Sequence, residues 1–285
     1  MLTTLDFILT SPSHGRSFAV DATYQPTGHP QPVVVFVHGF KGFKEWGHYK
    51  VLAEFFAVRG FVFVKLNLSH NGAVVGGTGD LEDLEAFGEN NFSHELNDLG
   101  QLLDALHLPE ATPLPAAVLN LSRLYLIGHS RGGALVLLKA AEDQRVRAVA
   151  TWAAVADLNP YFAPALLAKW EQDGVIYVPN TRTGQQLPMH YQIFEDYTTH
   201  RARFDLPALM PHLRQPVLLV HGDQDETVPL TAAHQLQAGL PAAELLVVPG
   251  AGHQFGGAHP WPGPGLPAAA QLVAERTVAF FEQAP

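Results

Sequence analysis

The chain has 285 residues, 47% apolar and 15% charged, enough to bury one full core and too apolar for a disordered segment. Its formal charge of -10 argues against a nucleic-acid backbone or an anionic membrane as partner, because both need a basic surface. The absence of cysteine excludes disulfides, thiolate metal sites and a cysteine nucleophile.

The opening Met1-Leu2-Thr3-Thr4-Leu5-Asp6 lacks a basic segment followed by an apolar run, and no apolar stretch reaches the roughly 18 residues of a spanning helix. A soluble, cytoplasmic protein without a membrane span is therefore expected. Alternating segments at Leu5–Leu9 and Ser17–Tyr24 flank a turn-rich cluster, Ser11-Pro12-Ser13-His14-Gly15, and predict an antiparallel hairpin. Short apolar runs then follow at Val33–Val37, Phe61–Leu66, Leu124–Ile127, Val146–Trp152, Val217–Val220 and Leu245–Val248. Runs of this kind read as strands buried on both faces, which implies a largely parallel sheet covered by helices. Apolar stripes mark the helices between them: Tyr49, Leu52 and Phe56; then Phe92, Leu96, Leu99, Leu103 and Leu106. A further helix is predicted just past Ser130 and a last one from Pro267 to Phe281. Such alternation gives a doubly wound sheet, whose chemistry sits at the carboxyl ends of the strands.

One interval breaks the rhythm. About 60 residues separate the Val146–Trp152 run from Val217, far more than a helical crossover needs. Pro160, Pro164, Pro179 and Pro188 punctuate it, and it holds four of the seven tyrosines with Phe162, Trp170, Phe194 and Phe204. A small cap over the strand ends is expected. Its aromatics either form the cap's own core or line a pocket.

Leu124 to Gly133 reads as a strand, a sharp turn and a helix start around Gly128-His129-Ser130-Arg131-Gly132. A serine hydroxyl attacks poorly unless it is held clear of the backbone beside a base. A tight strand-to-helix turn does this, and flanking glycines permit it. Ser130 is the candidate nucleophile. Val33–Val37 runs into His38-Gly39-Phe40-Lys41-Gly42, a turn able to aim a backbone N–H at an oxyanion; the candidate donors are the N–H groups of Phe40 and Arg131. Without Ser130 downstream, the same turn would read as an ordinary strand-to-helix connection with a structural His38. No Gly-Lys-Ser/Thr follows it, so a phosphate loop is excluded.

Two aspartates compete to orient the base in His221-Gly222-Asp223-Gln224-Asp225-Glu226-Thr227-Val228-Pro229. Asp225, deeper in the loop, is favoured; Asp223 is expected to bond its own turn, and Asp157 is a distant third. Of fifteen histidines, His234, His253 and His259 follow Asp225, as the order serine, acid, histidine requires. His234 falls in a predicted helix and His259 lies further out. His253, on the glycine-lined loop after the last strand, is the candidate base.

These motifs resemble the alpha/beta-hydrolase superfamily from about Val33 to the last helix. His38-Gly39-Phe40, Gly128-His129-Ser130-Arg131-Gly132-Gly133, His221-Gly222-Asp223-x-Asp225-x-x-Val228-Pro229 and Gly252-His253 match its oxyanion, nucleophile, acid and base positions in order. Within it, the chain is similar to cinnamoyl/feruloyl esterases and to dipeptidyl-aminopeptidase-like hydrolases without a propeller, although its cap matches no substrate-reading motif of theirs. The resemblance implies the alpha/beta-hydrolase fold: a mostly parallel eight-stranded sheet, helices on both faces, and a small cap insertion after strand 6. The expected division is core 1–157 and 211–285, cap 158–210. The expected function is hydrolysis of small-molecule carboxylic esters, of aromatic or medium-chain acyl groups, through an acyl-enzyme on Ser130. No metal or organic cofactor is called for. An amide or peptide hydrolase, or an acyltransferase, would use the same triad; a non-catalytic binding protein on this fold is the reading from another class.

Overall fold

A computed structural model describes residues 1–77, 80–108, 110–158 and 164–285. The chain opens with strands β1 (Thr3–Thr10), β2 (Ser17–Tyr24) and β3 (Gln31–Val37). Helix α1 (Tyr49–Ala57), β4 (Val62–Leu66), α2 (Leu84–Gly88) and α3 (Phe92–Leu106) follow, then β5 (Leu119–His129), α4 (Arg131–Glu142) and β6 (Val146–Trp152). Next come α5 (Pro164–Asp173), β7 (Val175–Pro179), β8 (Gln186–His190) and the short helices α6 (Gln192–Thr199), α7 (Arg201–Phe204) and α8 (Leu206–Leu209). The chain closes with β9 (Val217–Gly222), α9 (Thr231–Gly239), β10 (Glu244–Val248) and α10 (Ala268–Gln283).

Eight strands form one sheet in the order β1-β2-β4-β3-β5-β6-β9-β10. β1, β2 and β4 pair antiparallel, and every pairing from β4 to β10 is parallel. This is the alpha/beta-hydrolase fold. Edge strand β1 alternates inward Leu5, Phe7 and Leu9 with outward residues, as a half-exposed strand must. The central β3 is buried throughout its Val33–Val37 run, and successive side chains serve opposite faces. Val33, Val35 and Val37 pack with α3 and α4, whereas Val34 and Phe36 pack with α1 and α10. Asn91 caps α3 by accepting the His94 N–H at 2.8 Å, and the stripe Phe92, Leu96, Leu99, Leu103 and Leu106 is buried along it. β5 begins at Leu119, five residues before the apolar run, through a polar stretch that pairs with Gln31 and Pro32 across a register shift.

Between β6 and β9 the chain leaves the sheet. β7 and β8 pair only with each other, as an antiparallel hairpin among α5 to α8. Residues 159–163, part of the expected cap, lie outside the described residues. Trp170 is buried and donates its indole N–H to the Met189 carbonyl at 2.8 Å, while Tyr197 and Phe204 stack and pack on Phe92. Among the described residues no helix is long and apolar enough to cross a membrane.

Candidate active site

Ser130 stands between β5 and α4 with φ 57° and ψ -122°, a left-handed conformation a serine rarely adopts. The surrounding packing enforces it. The Ser130 N–H donates to the Trp152 carbonyl at 2.8 Å, and the Gly133 N–H returns to the Ser130 carbonyl at 2.9 Å. A Cβ on Gly128 would lie 2.2 Å from the Gly132 carbonyl oxygen, and one on Gly132 would lie 2.4 Å from that of Val37. Both positions are therefore glycine because backbone meets backbone there. Ser130 is held at the carboxyl end of the sheet with its hydroxyl pointing away from the strand that carries it.

The structure brings Ser130, His253 and Asp225 together. His253 Nδ1 lies 2.8 Å from Asp225 Oδ2, and its Nε2 lies 3.1 Å from Ser130 Oγ. A carboxylate can only accept, so the proton sits on Nδ1, and Nε2 presents its lone pair to the serine hydroxyl. Asp225 Oδ1 accepts the N–H groups of Thr227 and Val228 at 2.9 and 2.8 Å. Burial works against its charge, yet the bonds from His221, His253 and the Val228 N–H outweigh burial and hold the carboxyl well below the usual range. Asp225 is thus a fixed anion beside the imidazole.

Two histidines that sequence reasoning left without a role support this arrangement. His129, beside Ser130, donates Nε2–H to the His253 carbonyl at 2.9 Å. Burial lowers its pKa to about 3, so it does so as a neutral ring. His221 donates Nε2–H to the Val228 carbonyl at 2.8 Å and lies 3.4 Å from Asp225 Oδ2, fixing the acid loop from below. The signal for both was their place at a strand's carboxyl end; what they bond was not readable.

Asp223, His234 and His259 lie elsewhere. Asp223 accepts the Gly250 N–H at 2.7 Å, so it ties the acid loop to the turn after β10, whereas its sequence position led us to expect a bond within its own turn. His234 is exposed on α9. His259 accepts the Gly47 N–H at 2.8 Å and packs edge-on against Phe43. Asp157 lines the same cavity as Ser130.

The turn carrying Phe40 packs directly against the serine, since a Cβ on Gly39 would lie 2.8 Å from Ser130 Cβ. His38 fixes that turn. Its Nδ1–H donates to the Gly39 carbonyl at 2.9 Å, while Nε2 accepts from the Leu68 N–H and Asn71 Nδ2 at 3.3 Å each. Burial lowers its pKa to about 4, which keeps the ring neutral for this double duty. The Arg131 side chain turns away from the cavity into a buried ion pair with Glu95, its guanidinium 4.5 Å from the centre of the Phe40 ring. Both candidate oxyanion residues therefore belong to one packed unit.

A cavity of about 740 Å³ opens above Ser130. Phe40, Trp46, Tyr49 and Val228 are among the residues that line it, with Asn180 and Arg182 from the β7–β8 turn. Among the described residues the cap's aromatics do not line it: Trp170, Tyr197 and Phe204 are buried in packing, Tyr191 and Phe194 are partly buried, and Tyr177 is exposed. Lys41 Nζ donates to the Pro179 carbonyl at 2.7 Å, and Arg182 forks onto Asp80, so cap and core are linked at the cavity rim.

The model of the prolyl oligopeptidase family matches residues 114–283, and that of serine aminopeptidase S33 matches residues 28–196. Each spans more than half the chain. The chain belongs to the alpha/beta-hydrolase superfamily. This alpha/beta-hydrolase superposes on Est1E from Butyrivibrio proteoclasticus with a TM-score of 0.64, over 97% of this chain and 98% of that one, at 18% identity. Est1E has also been solved with ferulic acid bound. The esterase domain of a Rhodothermus marinus protein gives 0.62 over 100% and 99% at 21% identity. DcsB, in complex with its substrate analogue, gives 0.72 over 99% and 100% at 16% identity. At these identities the likeness bears on the fold alone. No curated protein matches the chain by sequence.

Proposed function

We propose that this alpha/beta-hydrolase is a serine esterase that cleaves carboxylic esters of small molecules through an acyl-enzyme on Ser130. The observation that carries this reading is the continuous run from Ser130 Oγ through His253 to Asp225, at 3.1 and 2.8 Å, on the floor of a cavity. His253 Nε2 takes the hydroxyl proton as Oγ attacks the ester carbonyl, and Asp225 stabilises the imidazolium that forms. The N–H groups of Phe40 and Arg131 receive the oxyanion. The tetrahedral intermediate collapses, and His253 hands its proton to the departing alcohol. Water, deprotonated by the same nitrogen, then attacks the acyl-enzyme, and the acid leaves as Ser130 recovers its proton. The aromatic lining residues Phe40, Trp46 and Tyr49 suit an aromatic or medium-chain acyl group, in keeping with the ferulic acid seen in Est1E.

The test is hydrolysis of a p-nitrophenyl short-chain ester by wild type and Ser130→Ala. Loss of the nucleophile should reduce kcat by about 10⁶-fold while the circular dichroism spectrum is unchanged. Retained turnover would remove Ser130 from the reaction. The two peptidase family models favour a second reading, cleavage of an aminoacyl amide on the same triad. Parallel assays of an ester and an aminoacyl-p-nitroanilide separate them by kcat/KM.

A further inference from the structure

Away from the cavity, three histidines from separate parts of the sequence meet. His14 comes from the β1–β2 turn, His70 from the loop after β4, and His94 from the first turn of α3. One nitrogen of each ring lies within 4.8 Å of one nitrogen of each other ring. The His70 and His94 rings stack with centres 4.3 Å apart, and His14 stands edge-on at 4.6 Å from both. Asp98, one helical turn beyond His94, faces the same place. It is fully buried; its Oδ2 accepts the Ser69 N–H at 2.7 Å. Its Oδ1 has no hydrogen-bond partner among the described residues and lies 3.5 Å from His14 Nε2.

We propose that His14, His70 and His94, with Asp98 beside them, form a binding site for a divalent transition-metal ion of the zinc type. Three imidazoles and one carboxylate are a donor set for zinc, and one too rich in nitrogen for magnesium or calcium. Ligation takes each imidazole through a ring nitrogen that carries no proton. Among the described residues the His94 ring makes no hydrogen bond, and the His70 ring is engaged only at Nδ1, by the Ser69 hydroxyl at 2.8 Å. The adjacent Arg16 is paired with Asp83, so its charge is compensated. Zinc–nitrogen bonds of about 2.0–2.1 Å require the ligand nitrogens to draw together by side-chain rotation. Capture at His14 Nε2 also shifts that ring's proton to Nδ1, at the expense of a 3.2 Å bond from the Arg16 N–H. The serine mechanism expected from the sequence called for no metal; His14, His70 and His94 share no spacing motif, and only the fold assembles them. An ion held here would staple the N-terminal hairpin to α3.

The experiment is titration of chelator-treated full-length protein with zinc chloride against a competing chromophoric chelator, with cobalt(II) as a spectroscopic substitute. The expected result is one saturable equivalent, unaffected by excess magnesium, with visible cobalt bands of tetrahedral intensity. His94→Ala and His14→Ala should each weaken binding by at least ~10-fold, since even outer partners of metal ligands contribute 10–100-fold. His253→Ala should leave it intact, which separates this site from zinc held by the candidate triad. Asp98→Asn provides a second, isosteric variant expected to weaken binding and dim the cobalt bands. No saturable site, equal affinity in the His94 and His14 variants, or loss of the site only with His253→Ala would each overturn the proposal.

Discussion

Asp225 differs from Asp223 in what surrounds its oxygens. Asp225 has one oxygen on two backbone N–H groups and the other on His253, whereas Asp223 bonds Gly250 at the surface. Asp225→Asn should therefore lower kcat by about 10⁴-fold through the wrong imidazole tautomer, and Asp223→Asn should change it little; steady-state ester hydrolysis of both variants ranks them. The same environment gives a pH dependence of stability. The folded carboxyl lies below the unfolded value of about 4, so its ionised form stabilises the fold fully above that pH. That contribution is lost as the pH falls from about 4 through the lower folded value. The melting-temperature advantage of wild type over Asp225→Asn should shrink between about pH 6 and pH 3. An advantage that grows on acidification would contradict the environment described for Asp225.

At the scale of elements, the turn at Ser130 depends on how closely β5, α4 and the end of β3 approach. Gly132→Ala would set a methyl carbon 2.4 Å from the Val37 carbonyl oxygen and 2.5 Å from that of His38, so the β3 end must shift. A loss of about 1–3 kcal/mol is expected from such overpacking, with esterase activity falling further than stability; urea denaturation and kcat/KM measure the two. These glycines were legible in the sequence because close backbone approach leaves a residue-type signature. Six of the eight strands were legible as apolar runs, and β1 and β2 as alternating segments around a turn-rich cluster. The extra residues at the start of β5 were not. Leu119 and Asn120 pair there because Gln31 and Pro32 lie alongside, and no hydropathy pattern records that. The roles of His129 and His221 were equally hidden, because each is defined by a carbonyl that tertiary packing brings to it.

For the molecule as a whole, the sheet supplies the three candidate reacting groups from loops after β5, β9 and β10, and the insertion between β6 and β9 supplies part of the cavity wall. The insertion meets the core at the rim through Arg182 with Asp80 and Lys41 with Pro179. Arg182→Ala removes a partly exposed pair, so stability should change by no more than about 1 kcal/mol. Its KM for a bulky aromatic ester should rise with kcat nearly constant, because Arg182 touches the cavity and not Ser130. Unchanged KM would take the β7–β8 turn out of substrate binding. The central claim is the joint action of residues brought together from more than a hundred positions apart, and mass spectrometry after treatment with a fluorophosphonate tests it most directly. A single adduct on the peptide carrying Ser130, abolished in His253→Ala, is expected; no adduct, or one on another residue, would contradict it.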